Sequence, residues 1–216
     1  MKQSSNMNTS TYKYIIGLTG NIACGKSSVV AELVKLGATA IDADVVTRQL
    51  QQPGQTVYQS IVASFGSMVV LPDGQLNRKA LGNIVFGDPH QLRLLESIVH
   101  PAVRQHILTW LAQLPDGSHE HPTIAVIDAI KLIESGWPAH CDAVWVVACD
   151  RTQQIERLCR TRNMSEADAI QRIDAQNPQS AKIAAADVVI DNSGEWSDTL
   201  TQVHHQWHTI MQRFAS

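Results

Sequence analysis

Gly20-Asn21-Ile22-Ala23-Cys24-Gly25-Lys26-Ser27 matches G-x-x-x-x-G-K-[ST], the spacing of a loop that cradles phosphates. Glycine at its ends lets the backbone turn tightly and bring N–H groups against phosphate oxygens, and the helix that follows adds its positive end. Lys26 is a mobile cation suited to β and γ phosphates, Ser27 offers a hydroxyl to Mg²⁺, and Ser28 continues the first helical turn. A chance match in a chain of this length has odds of about one in a hundred at average residue usage. The flanks lower those odds, because an apolar run precedes the loop and Val29, Val30, Leu33, Val34 and Leu36 follow at helical spacing before Gly37. These residues predict a site for a nucleoside triphosphate such as ATP.

A held triphosphate needs an acceptor. Asp42 and Asp44 follow the second apolar run and so project from the carboxyl edge of a sheet, where ligands of open α/β sheets bind. One carboxylate of such a pair can take a proton from an attacking hydroxyl while the other orients it or a metal. Capping of the next helix accounts for the pair equally well. Arg151, Arg157, Arg160 and Arg162 follow the fourth run; a triphosphate nearby favours at least one pointing inward to meet charge on the transferred phosphoryl group.

The elements that must position these groups are legible as apolar, β-branched runs at Tyr14 to Leu18, Ala38 to Ile41, Thr123 to Ile127, Ala143 to Val147 and Asp187 to Ile190. Helical segments separate them, the alternation of a parallel, helix-covered sheet. Residues 45–122 are too long for a connection and read as a helical substrate lobe, punctuated by Pro53-Gly54, Pro72-Asp73-Gly74 and Asp88-Pro89. The core is expected over 14–44 and 123–216. Residues 1–13, rich in Ser, Asn and Thr, read as a loose tail.

The 216 residues carry a net charge of −3, which gives no field favouring nucleic acid or an anionic membrane, so phosphate affinity must be local. No stretch reads as a signal peptide or membrane span. Cys24, Cys141, Cys149 and Cys159 lack metal-like spacing, so reduced thiols in a cytoplasmic protein are expected. Cys24, beside Lys26, reads either as a small residue that fits the loop or as a thiol with enhanced thiolate character. His204, His205 and His208, without a carboxylate at useful spacing, read as solvated.

Taken in order, these pieces resemble the dephospho-coenzyme A kinase family. The series runs through Gly17-Leu18-Thr19-Gly20, Ile41-Asp42-Ala43-Asp44-Val45-Val46 with Arg48, Asp73-Gly74-Gln75-Leu76-Asn77-Arg78, Leu81, Phe86, Leu95-Glu96 and His100-Pro101. It closes with Gln154, Arg157-Leu158, Ala169, Arg172-Ile173, Gln176 and Ala186-Asp187-Val188-Val189-Ile190-Asp191-Asn192-Ser193-Gly194. The resemblance implies a three-layer P-loop kinase fold like that of nucleoside monophosphate kinases, with a five-stranded parallel sheet, a helical lobe gripping the acceptor and a lid over about 151–182. It implies ATP-dependent phosphorylation of the ribose 3′-hydroxyl of dephospho-CoA with Mg²⁺, by a monomer acting on small molecules.

It also implies roles: Asp44 as general base with Asp42 supporting it, Arg157 as lid arginine, Arg78 and His100 on the acceptor side, and Asn192 near the adenine. Three positions depart from the family pattern. Ile130-Lys131 stands where the family usually writes Pro-Leu, Thr161 stands where a second lid arginine is common, with Arg160 or Arg162 to replace it, and Ala23-Cys24 replaces Gly-Ser. A guanine-nucleotide switch is excluded by the order of its would-be motifs. A nucleoside monophosphate kinase is separated only by the motif series, and a nonenzymatic module would have to lack Asp44 or Lys26.

Overall fold

The computed structural model describes residues 12–215. Its centre is a five-stranded sheet of β1 (Lys13–Gly20), β2 (Thr39–Asp42), β3 (Thr123–Asp128), β4 (Ala143–Ala148) and β5 (Val188–Asp191). The order is β2-β3-β1-β4-β5, with β1 parallel to β3 and β4, and β4 parallel to β5. All five apolar runs become strands. The tail expected over 1–13 lies outside the described residues as far as residue 11; Lys13 already pairs with Thr123, and Tyr12 accepts a hydrogen bond from the Thr123 N–H at 2.7 Å.

Both faces of the sheet are covered, which is why β4 is buried at every position and its sequence does not alternate. On one face Ile16, Leu18, Ile124, Val126, Trp145, Val147 and Ile190 pack with Val29 and Leu33 of α1 (Lys26–Lys35) and Val203 and Ile210 of α9 (Trp196–Phe214). On the other, α8 (Gln179–Ala184) lies against β1 and β4. Gly37 does terminate α1: at φ 111° it places its N–H on Val34 O, and the Ala38 N–H on Leu33 O at 2.9 Å. Between β4 and α8 come α6 (Arg151–Arg162) and α7 (Glu166–Asp174), joined through Leu158, Ala169 and Ile173.

The chain divides into two compact units, one formed by residues up to Ala40 with Leu114 onward, the other by Ile41–Gln113. The second contains α2 (Ala43–Leu50), α3 (Thr56–Phe65), α4 (Arg78–Phe86) and the long α5 (Pro89–Gln113), against which the other three pack. Its limits differ from the expected 45–122. It starts earlier because Asp42 caps α2, and it ends at Gln113 because Leu114 already accepts a hydrogen bond from Lys13 Nζ at 3.1 Å.

Candidate active site

Two glycines of the phosphate motif have no substitute. A Cβ on Gly20 would stand 2.5 Å from Val147 O, and one on Gly25, at φ 88°, would stand 2.1 Å from Asn192 Nδ2. Gly25 is the N-cap of α1, no side chain caps the helix, and its first turn holds no acidic residue. The leading N–H groups of α1 therefore form an anion-binding end, with Ser27 and Ser28 exposed beside it. Not every loop amide is available to an anion: Ile22 N–H donates to Gln176 Oε1 at 2.8 Å, and Cys24 N–H to Asn21 O at 3.3 Å.

Lys26 Nζ is ion-paired with the carboxylate of Asp128, whose side chain is 8% exposed. Asp128 was not among the residues expected from sequence. The signal was present in a strand-like run that closes on an acid, Thr-Ile-Ala-Val-Ile-Asp, and the sheet order puts that strand next to β1. The Ser27 hydroxyl and the Asp128 carboxylate are hard oxygen donors, the chemistry that suits Mg²⁺ beside nucleotide phosphates.

Arg157 and Asn192 converge on the same loop. Arg157 Nη1 donates to Ala23 O at 3.3 Å and Nη2 to Asn192 O at 2.8 Å, while Asn192 Nδ2 donates to Cys24 O at 2.8 Å. Asn192 is itself held by the Thr199 hydroxyl, 3.0 Å from its Oδ1. The other arginines have different partners: Arg151 grips Asp174 at 2.6 and 3.0 Å, and Arg160 lies 4.0 Å from Glu156. Arg162 is exposed in the last turn of α6, and Thr161 bonds back to Arg157 O at 2.6 Å.

A second layer of contacts holds the loop from behind. Buried Gln154 donates to Ile22 O at 2.8 Å, Asn21 Nδ2 to Asn177 O at 3.1 Å, and Gln179 exchanges hydrogen bonds with the Cys149 backbone, each 3.2 Å. Gln154 and Gln176 entered the sequence reading only as motif positions; Asn177 and Gln179 gave no signal. Cys24 is wholly buried with its sulfur 3.2 Å from Cys149 Sγ, and all four cysteines are free. The thiol–thiol hydrogen bond holds Cys24 below the ordinary thiol value and pushes Cys149 above it.

In the second unit, Asp42 Oδ1 accepts from the N–H groups of Asp44, at 2.7 Å, and Val45, at 3.0 Å, so this carboxylate is the N-cap of α2. Asp44 is exposed in the first turn. Arg78 opens α4 and donates to the side-chain oxygen of Gln51, and His100, partly buried, precedes Pro101 inside α5. The structure thus gathers Lys26, Asp128, Arg157 and Asn192 around the phosphate loop in the first unit, and carries Asp42, Asp44, Arg78 and His100 in the second.

The histidines need one correction. His204 is not merely solvated: its Nε2 lies 2.8 Å from Glu32 Oε1, a carboxylate brought near by the packing of α1 on α9. No group of three metal-binding side chains occurs among the described residues. Nor is any helix among them long and apolar enough to cross a membrane.

The family model for dephospho-CoA kinase matches residues 14–198. A relative from Symbiobacterium thermophilum named dephospho-CoA kinase is 48% identical over 193 residues, covering 89% of this chain and 80% of that protein. One of the same name from Geobacter sulfurreducens is 43% identical over 193 residues, covering 89% of this chain and 96% of that protein. The crystal structure of TT1252 from Thermus thermophilus aligns with a TM-score of 0.79 at 28% identity, covering 91% of this chain and 97% of that one.

Proposed function

The chain belongs to the dephospho-CoA kinase family, and on that premise we propose that it transfers the γ-phosphoryl group of ATP to the ribose 3′-hydroxyl of dephospho-CoA, giving coenzyme A and ADP. This is the closing step of coenzyme A synthesis. The observation that carries the reading is the uncapped N-terminus of α1 behind a phosphate motif whose lysine is paired with Asp128. Such a site supplies backbone donors and a cation where charge gathers in the transition state, and phosphoryl transfer depends chiefly on positioning and electrostatics.

The loop donors and Lys26 bind the β and γ phosphates. Arg157, anchored on Ala23 O and Asn192 O, stabilises charge on the transferred oxygens, and Asn192 borders the adenine. Ser27 and Asp128 would hold Mg²⁺, which would supply positive charge to offset that of the triphosphate. On the acceptor side, Asp44 takes the proton of the 3′-hydroxyl, Asp42 fixes the turn that presents Asp44, and Arg78 and His100 hold dephospho-CoA within the helical unit, Ile41–Gln113. Within the expected lid of residues 151–182, α6 and α7 serve as the lid proper, while α8 stays packed on the sheet. The reading takes the enzyme as a cytoplasmic monomer acting on two small molecules.

The test is ADP release from ATP and Mg²⁺ with dephospho-CoA, AMP, shikimate or water as acceptor, together with detection of coenzyme A. Dephospho-CoA should be the fastest acceptor by a wide margin. Faster transfer to AMP would make the chain a nucleoside monophosphate kinase in activity.

A further inference from the structure

Lys182 of α8 is 5% exposed, and among the described residues no carboxylate lies within ion-pair distance of its ammonium. Its Nζ donates to Ile130 O at 2.7 Å and lies 3.5 Å from the Thr19 hydroxyl, which donates to the same carbonyl at 3.0 Å. A buried ammonium whose direct partners are neutral oxygens, with the Glu134 carboxylate acting from beyond ion-pair distance, is costly, and an apolar side chain of similar length would fill the position with less penalty. Burial lowers the affinity of Lys182 for its proton, which is the same cost seen from another side.

What the two donors hold is the exit of β3. Ala129 N–H still bonds to Leu18 O at 3.0 Å, and Ile130 is where the chain leaves the sheet. A carbonyl at that point has no strand partner of its own and two lone pairs to satisfy. Asp128 lies two residues earlier, so the direction of its carboxylate toward Lys26 follows from how this exit is fixed. The segment that carries Lys182 also binds the phosphate loop, through Gln176 on Ile22, Asn177 on Asn21 and Gln179 near Cys24. One segment therefore sets the relative placement of Asp128 and the loop that bears Lys26.

We propose that Lys182 is a positioning residue for phosphoryl transfer: with the Thr19 hydroxyl it clamps the Ile130 carbonyl, and that clamp presents Asp128 to Lys26. The proposal rests on the reading of this site as a phosphoryl-transfer centre and does not depend on which acceptor is used.

The experiment compares K182M, T19V, K182M/T19V, D128N and D128N/K182M in the full chain. Each is read as coenzyme A formed from dephospho-CoA, and separately as ADP released with water as the only acceptor. Failure of the acceptor assignment abolishes the first readout and leaves the second. Misplacement of a catalytic group by an ångström costs up to about 100-fold, so K182M should lower kcat by about 10- to 100-fold. ATP affinity and the KM for dephospho-CoA should stay within about threefold of the parent, because ground-state binding is not the step affected. T19V alone should cost little, since Lys182 still holds the carbonyl, and the double variant should lose more than the product of the single losses.

In the D128N background K182M should cost less than about threefold, because the group it positions has lost its charge. That last comparison is one that a merely structural lysine would not move. The proposal is overturned if K182M lowers kcat equally with and without Asp128, if its loss resides in KM, or if kcat is unchanged. Folding is checked by circular dichroism and thermal midpoint. Should K182M fail to fold, K182Q, which keeps an N–H donor on a side chain one atom shorter, should lose less turnover than D128N, and a loss as large as that of D128N would overturn the clamp.

Discussion

Lys26 and Asp128, 102 residues apart in sequence, form an ion pair joining the first residue of α1 to the last of β3. Both side chains are largely buried, 15% and 8% exposed, so the pairing offsets part of the cost of burying each charge. The pair keeps the ammonium beside the uncapped helix end, where the bridge between β and γ phosphates would lie under the proposed function. Removing a preorganised donor to developing charge costs about 10²- to 10³-fold in kcat. K26M should lose turnover by that much while ATP binding, supported by loop N–H groups, falls less. Turnover within a few-fold of the parent in a folded variant would remove Lys26 from the mechanism.

Asp128→Asn tests the other half of the pair. Losing a group that orients a metal or its ligands typically costs about 10- to 100-fold in metal affinity or activity. Its signature should be a higher Mg²⁺ concentration for half-maximal rate at saturating ATP, with thermal stability also lowered because Lys26 loses its partner. An unchanged Mg²⁺ dependence would reduce Asp128 to a structural partner of Lys26.

The guanidinium of Arg157 spans two carbonyls, Ala23 O and Asn192 O, with separate nitrogens. A lysine carries its donors on one nitrogen and lacks the two-nitrogen fork that this geometry uses. R157K should therefore behave much like R157A, with kcat reduced about 100-fold or more, as for loss of a transition-state donor. If R157K retains nearly full turnover, the fork geometry is irrelevant and charge alone suffices.

The central strands β1, β3 and β4 were legible because burial on both faces writes each as a nearly continuous apolar run, as at Ala143 to Ala148. The phosphate loop was legible because its glycines answer to sterics that no other residue meets. Asp128 escaped because an acid at the end of a strand is informative only once the strand order is known, and β3 neighbours β1 although 102 residues separate its carboxylate from Lys26. The contacts by which Gln154, Gln176 and Asn177 hold the loop escaped for a different reason: single polar residues in a helix or in the connection between α7 and α8 carry no periodic signal, and only the fold shows what they touch. Likewise His204 and Glu32 meet through the packing of α9 on α1, a pairing that local spacing does not record.

Acid should loosen the joint between α6 and α7. The Arg151 guanidinium, hydrogen-bonded to both oxygens of Asp174, holds that carboxyl below its ordinary value of 3.8. A depressed folded-state value means that the stabilisation is complete above the ordinary value and is lost as pH falls through the lower folded one. The pair is exposed, so the effect is small and screened by salt. Thermal midpoints of D174N and the parent should differ slightly at pH 7 and converge as pH falls well below the ordinary carboxyl value of 3.8. A gap that widens in acid would show that the carboxyl is not held by Arg151.

The two aspartates after β2 separate cleanly by substitution. Asp42 caps α2 through one oxygen that accepts two N–H groups, and Asn caps as well as Asp, whereas Ala loses the cap at a cost of about 1 kcal/mol. Asp44 stands exposed in the first helical turn, where a carboxylate is also favoured by the helix dipole. Asp44→Asn keeps the shape of the side chain and abolishes its basicity, so if it is the base, kcat should fall by about 10²- to 10⁴-fold with ATP binding little changed. Asp42→Asn should leave both stability and most turnover intact, and Asp42→Ala should lower stability and, by loosening the turn that carries Asp44, turnover as well. The three variants are compared by thermal midpoint, ATP affinity and single-turnover rate with dephospho-CoA. A larger loss in Asp42→Asn than in Asp44→Asn would exchange the roles, since the cap is preserved in that variant and only the charge is gone; full turnover in both would place the base outside this pair.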